Sequence, residues 1–265
     1  MSANHFDTAR IVGGLPTARP AFSAEMAALR KAAESGHVEA QSLLGQALLN
    51  GVLLPRGPSE AARWFSVAAR AGHLPALNMQ GQCLEKGWGV PPDAVAAAAC
   101  YRRAAKGGHD WAQYNLANMM LRGRGVARDR AGAWTLFLTA AKAGHAKSMN
   151  LVARFLEEGW DRPRDPAAAE AWYRCSAEAG DYRGRHNLAT LLAEAGALDE
   201  AMFWWCLAVH DATADILCAM AQALRIISHP AAPALLRVVE ARQAPHREDP
   251  PTGRWRRRFN SWLGR

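Results

Sequence analysis

The sequence has no long hydrophobic run and no obvious export signal. Its longest stretch without a charged side chain, residues 40–55, is interrupted by glutamine, glycine and asparagine, whereas a membrane-spanning helix needs about 20 apolar residues. The first residues lack the basic start and apolar run of a secretory signal. We therefore expect no transmembrane segment, and we expect the cytoplasm as the compartment, with a peripheral position at the inner membrane face as the alternative.

Cysteine and histidine patterns typical of metal or redox sites are also missing. The five cysteines are an odd number and include no C-x-x-C pair, which favours buried thiols in a reducing compartment. The nine histidines include no H-E-x-x-H or H-x-x-x-H pattern. The sequence thus predicts no metal, no cofactor and no catalytic residues, and we interpret the chain as a non-enzymatic protein.

The overall composition is that of an ordinary globular protein. Of 265 residues, 50% are hydrophobic and 21% charged, which excludes intrinsic disorder, collagen and a disulfide scaffold. The formal net charge is +8. Arginine outnumbers lysine by 27 to 5, which we interpret as the mark of a GC-rich bacterial genome.

A glycine that returns every 36 residues organises the chain. The column consists of Gly36, Gly72, Gly108, Gly144 and Gly180, of which the first four are followed by histidine. Apart from Gln80, small or apolar residues follow four, eight, nine and twelve positions later, which is one stripe of a helix with 3.6 residues per turn. We name this helix A.

A second helix completes each unit. A second glycine column ends helix A and is followed by a turn rich in proline and aspartate. Helix B then carries an aromatic pair, such as Trp64 and Phe65, and ends on paired small residues. One hairpin of this kind cannot bury its apolar stripe alone, so neighbouring hairpins are expected to stack.

These columns resemble the Sel1-like repeat, a relative of the tetratricopeptide repeat, over roughly residues 25–211. The shared motifs are small-x-x-Leu-Gly on helix A, the Gly-x-Gly-Val-Pro-x-Asp turn, the aromatic pair, and the double alanine before Gly-His. The resemblance implies an all-α fold, an α/α solenoid of about five 36-residue helical hairpins, and a role as adaptor or scaffold in protein complexes.

The repeat register also predicts how the chain is divided. Residues 1–22 are expected to form a flexible arm and residues 23–211 the solenoid, which begins with a half repeat. Residues 212–244 are expected to contain capping helices, within 211–227 and 232–243. Residues 245–265 are a proline-containing linker and a basic, aromatic tail. In the fifth repeat the turn between the two helices is shortened.

Resemblance to tetratricopeptide repeats implies that helix A lines a concave groove. Its outward positions fall three, six, ten, thirteen and fourteen residues after each lead glycine. The predicted partner-binding residues are Asn78, Gln82, Trp111, Tyr114, Asn118, Arg122, Lys147, Asn150, Arg154, Arg183 and His186. Asparagine suits the backbone of an extended peptide, arginine and lysine suit a carboxylate, and the aromatic pair offers an anchor. The partner is therefore expected to be a protein or peptide with acidic groups; the alternative is that these residues form ordinary solvated helix faces.

The C-terminal tail is a second candidate contact. Trp255, Phe259 and Trp262 fall on one helical face, and Arg256, Arg257 and Arg258 lie between them in sequence. This pattern is typical of an interfacial helix attracted to anionic lipid. An acidic groove of a partner, or no role at all, are the alternatives, and nucleic acid ranks last because the repeats carry no extended basic stripe.

The lead histidines form a row, His37, His73, His109 and His145, at the same place in successive repeats. Packed helices lie about 8–10 Å apart, too far for two imidazoles to share one zinc at about 2 Å. We interpret these histidines as caps or packing groups. The alternative of a β-lactam hydrolase is disfavoured, because the regular cysteine pairs of that branch of the family are absent. The sequence therefore predicts an interaction scaffold, with a membrane adaptor anchored by the tail as the main alternative.

Overall fold

The computed structural model describes residues 19–51 and 54–243, and within them every regular element is a helix. The helices are α1 (Arg19–Glu34), α2 (Val38–Asn50), α3 (Pro58–Arg70), α4 (Leu74–Lys86), α5 (Ala94–Lys106), α6 (Asp110–Arg122), α7 (Arg130–Lys142), α8 (Ala146–Glu158), α9 (Pro166–Glu178), α10 (Tyr182–Glu194), α11 (Leu198–Ala208), α12 (Ala214–Ile226) and α13 (Ala232–Gln243). Helices A of the five repeats are α2, α4, α6, α8 and α10, and the fold is the expected α/α solenoid.

Local sequence explains where these helices begin and end. Each lead glycine has a positive φ, for example +89° at Gly108, which reverses the chain between helix B and the next helix A. His109, His145 and Asp181 then accept a hydrogen bond from a backbone N–H in the first turn of helix A. The second glycine column ends helix A in the left-handed conformation, with φ of +65° at Gly123.

Small residues on helix A allow its backbone to approach an aromatic ring of helix B. A Cβ atom placed on Gly81 would lie 2.6 Å from the Tyr101 ring, and one on Gly45 would lie 2.9 Å from the Phe65 ring. Tyr101 and Phe65 are fully buried. The aromatic residue therefore occupies the space that the glycine leaves, which is why the two columns recur together.

The chain divides into two compact units at Ala169 and Glu170, inside α9. In the first unit each helix from α1 to α8 packs against the next along the chain. In the second unit α10 packs against α11, and α12 packs against α13. None of the helices in the described residues is long and apolar enough to span a membrane.

The ends of the array depart slightly from the expected boundaries. Helix α1 begins at Arg19, so it overlaps the end of the arm predicted over residues 1–22; the remainder of that arm lies outside the described residues. Residues 195–197 join α10 to α11, whereas residues 87–93 join α4 to α5, which is the shortened turn expected for the fifth repeat. Helices α12 and α13 lie where the capping helices were predicted.

Candidate functional site

Three predicted partner-binding residues lie in the interior instead of on an outer face. Asn78, Asn150 and His186 are only 5%, 2% and 8% exposed. They share the position six residues after the lead glycine, so the expectation that this position faces outward is corrected. The physical reason is that neighbouring helices cover it: Asn115 on α6 donates a hydrogen bond to Asn78 Oδ1 at 2.9 Å, and Trp205 on α11 donates to His186 Nδ1 at 3.2 Å.

The other predicted residues reach the surface in part or in full. Trp111, Arg122 and Arg154 are exposed, and Gln82, Tyr114, Asn118, Lys147 and Arg183 are half-buried. Within the second unit the Arg183 guanidinium lies 4.8 Å from the centroid of the Tyr182 ring. The Asn118 amide donates to the Tyr114 carbonyl within its own helix, so it is partly engaged already.

The structure brings four side chains together around Trp111. The Trp111 and His145 rings are 4.6 Å apart in an edge-to-face arrangement, and the Tyr114 ring lies 5.1 Å from His145. The Lys147 ammonium lies over the Trp111 ring, 4.8 Å from its centroid. We name Trp111, Tyr114, His145 and Lys147 the Trp111 cluster. It joins helix A of the third repeat to helix A of the fourth.

His145 is the buried member of this cluster, and its imidazole is uncharged. Its Nδ1 accepts the Ser148 backbone N–H at 3.3 Å, and Ser148 Oγ lies 2.8 Å from the same nitrogen. Burial lowers the His145 pKa to about 4; Asp110 opposes this shift, and Lys147 and His109 add to it. The imidazole is therefore uncharged at neutral pH, and Nε2 is buried without a hydrogen-bond partner.

Three members of the histidine row, His37, His109 and His145, form hydrogen bonds through Nδ1 at the turns between repeats, whereas His73 Nδ1 is buried without a hydrogen-bond partner. His109 Nδ1 accepts the Ala112 N–H at 3.2 Å, and His37 Nδ1 lies 3.2 Å from the Ala32 carbonyl. In the part of the chain that the structure describes, no group of three or more His, Cys, Asp or Glu side chains is arranged to hold a metal ion.

One member of the Trp111 cluster was missed from the sequence. The sequence predicts His145 to be a cap or packing group, but it does not predict its place behind the exposed Trp111. The sequence does contain a signal for this contact. Trp111 and Lys147 occupy equivalent positions in consecutive repeats, and His145, the capping residue of the later repeat, lies between them. The predicted tail contact, Trp255 to Trp262, lies outside the described residues.

Comparison with known proteins identifies the repeat. A family model of the Sel1 repeat matches residues 38–73, 74–109, 112–145 and 146–181, which together make up just over half of the chain. A search of the curated proteins finds no match.

Several solved structures share the fold. A protective antigen of uropathogenic Escherichia coli, c5321, is 26% identical with a TM-score of 0.65; the match covers 82% of this chain and 48% of the antigen, so this chain spans about half of its length. A Sel1 repeat protein from Oxalobacter formigenes is 23% identical with a TM-score of 0.68, over 81% of this chain and 88% of that one. The immunity protein Pa5087 of Pseudomonas aeruginosa shares the fold alone. It is 14% identical with a TM-score of 0.54, over 78% of this chain and 81% of that one.

Proposed function

The chain belongs to the Sel1 repeat family, and on that premise we propose that it is a non-enzymatic scaffold that binds a protein or peptide through the helix-A surface around Trp111. The Sel1 repeat is commonly a protein-interaction fold. The observation that carries the proposal is the Trp111 side chain, which is 37% exposed although it is one of the largest apolar groups in the chain.

The surroundings of Trp111 support binding. Its indole is held in place from one side by His145 and Tyr114, so little side-chain freedom remains to be lost when a partner binds. Lys147 supplies a positive charge beside the ring. A rigid aromatic group next to a cation is typical of the few residues that dominate the energy of protein interfaces.

The test is affinity capture with the full chain and a Trp111→Ala variant, followed by mass spectrometry of the retained proteins. The proposal expects specific partners to be lost with Trp111→Ala and kept with Val95→Ala. Val95 is the matched control because it is an exposed apolar residue on a helix B of the same unit. Circular dichroism confirms that each variant keeps its helices. If both variants retain the same partners as the parent protein, the Trp111 surface is not the binding site.

A second candidate is a peripheral membrane adaptor anchored by residues 245–265. The observation that favours it is the spacing of Trp255, Phe259 and Trp262 among arginines. In this alternative the repeats bind a protein while the tail holds the complex at an anionic lipid surface.

A further inference from the structure

A second surface of the first unit combines arginine with aromatic rings. The Arg162 guanidinium carbon lies 3.3 Å from the centroid of the Trp134 ring, and Arg154 and Arg130 lie 5.2 and 5.9 Å from the centroid of the Trp160 ring. Phe155 connects the two tryptophans, with ring centroids 5.6 Å from Trp134 and 5.1 Å from Trp160. We name the six residues Arg130, Trp134, Arg154, Phe155, Trp160 and Arg162 the arginine–tryptophan cluster.

The other repeats show that the fold does not require this cluster. Two earlier loops place a valine where Arg162 stands, and their helices B place an alanine where Trp134 stands. Val90 packs into the apolar group that contains Ala62, and Val126 packs into the group that contains Ala98. The junction of the third and fourth repeats therefore has a tryptophan and an arginine where the earlier junctions have a small apolar pair.

The two other arginines are also particular to the third and fourth repeats. Arg154 stands where the second and third repeats have Gln82 and Asn118, and Arg130 stands where the earlier helices B begin with Pro58 and Ala94. All three positive charges therefore occur at positions where the preceding repeats are uncharged. The shared helical framework does not explain their presence on one surface.

Within the described residues these arginines are poorly neutralised. Arg130 lies 3.8 Å from the Asp161 carboxylate, while neither Arg154 nor Arg162 forms an ion pair there. The Nε of Arg162 is buried without a hydrogen-bond partner, and burial lowers the pKa of this side chain. Burying an unpaired donor of a charged group is unfavourable unless a ligand or partner compensates for it.

We propose that the arginine–tryptophan cluster binds carboxylate groups of an acidic peptide segment in the partner protein. This inference rests on the proposed scaffold function and adds a second contact and a partner chemistry to it. A guanidinium stacked on an indole keeps its face against the ring, so the N–H groups along its edge can bind both oxygens of a carboxylate. The half-buried tryptophan rings provide apolar contact for the peptide chain beside the carboxylate.

The test selects ligands from a random 12-residue peptide library against the full-length chain. The enriched peptides are synthesised with a fluorescent label, and their affinity is measured by fluorescence anisotropy. The proposal expects them to be rich in Asp and Glu, and it expects affinity to fall about tenfold or more when these residues are replaced by Asn and Gln.

Variants of the protein show whether this cluster is the site. Arg154→Gln introduces the residue of the second repeat. The double change Trp134→Ala with Arg162→Val recreates the alanine–valine pair of the two preceding repeat junctions. Both variants are therefore expected to keep the helical circular dichroism signal. Each is expected to weaken peptide binding about tenfold or more. Arg103→Gln removes an exposed charge from α5 and is expected to have no comparable effect.

Three results would overturn the inference. Enriched peptides whose affinity depends on Trp111 but not on the arginine–tryptophan cluster would contradict the inference, and they would still support the scaffold function. Failure to enrich any peptide would also contradict it, while the capture experiment with Trp111→Ala would still decide the proposed function separately. Equal binding of polyphosphate or DNA through the same arginines would show a general anion surface instead of a carboxylate site.

Discussion

The capping histidine His145 makes the stability of the first unit depend on pH. Its Nδ1 must stay unprotonated to accept the Ser148 N–H, and burial lowers its pKa from the ordinary value of 6.5 to about 4. The unfolded chain therefore takes up a proton at a higher pH than the folded chain does. Since the folded pKa is lowered, this contribution to stability is fully present above pH 6.5 and is lost as the pH falls towards 4.

The size of the effect follows from the two pKa values. A difference between 6.5 and about 4 corresponds to about 3 kcal/mol of unfolding free energy. About 2 kcal/mol of that is lost by pH 5, since the unfolded-state imidazole is by then almost fully protonated. Asp110 faces the imidazole and raises its pKa, while Lys147 and His109 lower it, and the value of about 4 already includes all three.

The assay compares urea unfolding of the parent protein and His145→Asn at pH 7 and pH 5, followed by circular dichroism. Asparagine is a good N-cap and does not titrate. Between pH 7 and pH 5 the unfolding free energy of the variant should therefore fall by about 2 kcal/mol less than that of the parent. His210→Asn, at an exposed histidine, should lose as much as the parent. Equal losses in the parent and His145→Asn would refute the reasoning.

Three further predictions concern packing and the tail. Gly125→Ala places a Cβ 2.2 Å from the Ala94 carbonyl oxygen at a φ of +69°. Gly108 also has a positive φ but lies in open space, so Gly108→Ala should cost only about 1–2 kcal/mol of unfolding free energy. The urea midpoint of Gly125→Ala should therefore fall at least twice as far as that of Gly108→Ala. Phe137→Ala empties a fully buried site and should cost about 3–5 kcal/mol in the same assay, whereas Phe203→Ala, at an exposed ring, should cost under about 1 kcal/mol. If the tail anchors the chain, deletion of residues 245–265 should abolish co-sedimentation with anionic vesicles. The deletion should leave the capture of partner proteins through Trp111 unchanged. Vesicle binding that survives the deletion would contradict the membrane alternative.

The repeating elements of this protein can be predicted from its sequence. The 36-residue glycine period predicted the alternation of helices A and B, because positive φ and helix caps are local requirements that particular residues meet. Small residues on helix A and aromatic residues on helix B, such as Gly81 and Tyr101, recur in step in the sequence and are in close contact in the structure. The shortened fifth turn followed from the same register, whereas the two helices after residue 211 were predicted outside it.

Which polar residues on helix A remain accessible depends on tertiary packing and is not evident from the sequence. Periodicity shows that Asn78, Tyr114 and Asn150 share a face, but the degree of burial depends on the helices that pack over that face. Asn78 and Asn150 are enclosed, while Tyr114 stays half-buried beside Trp111.

The contact between Trp134 and Arg162 likewise depends on how a loop packs against the preceding helix B. These two residues are 28 positions apart in sequence, and although each departs from its repeat column, the sequence does not show that they are in contact. Stacking of neighbouring repeats brings the loop and the helix together, and this long-range packing therefore determines the arginine–tryptophan cluster.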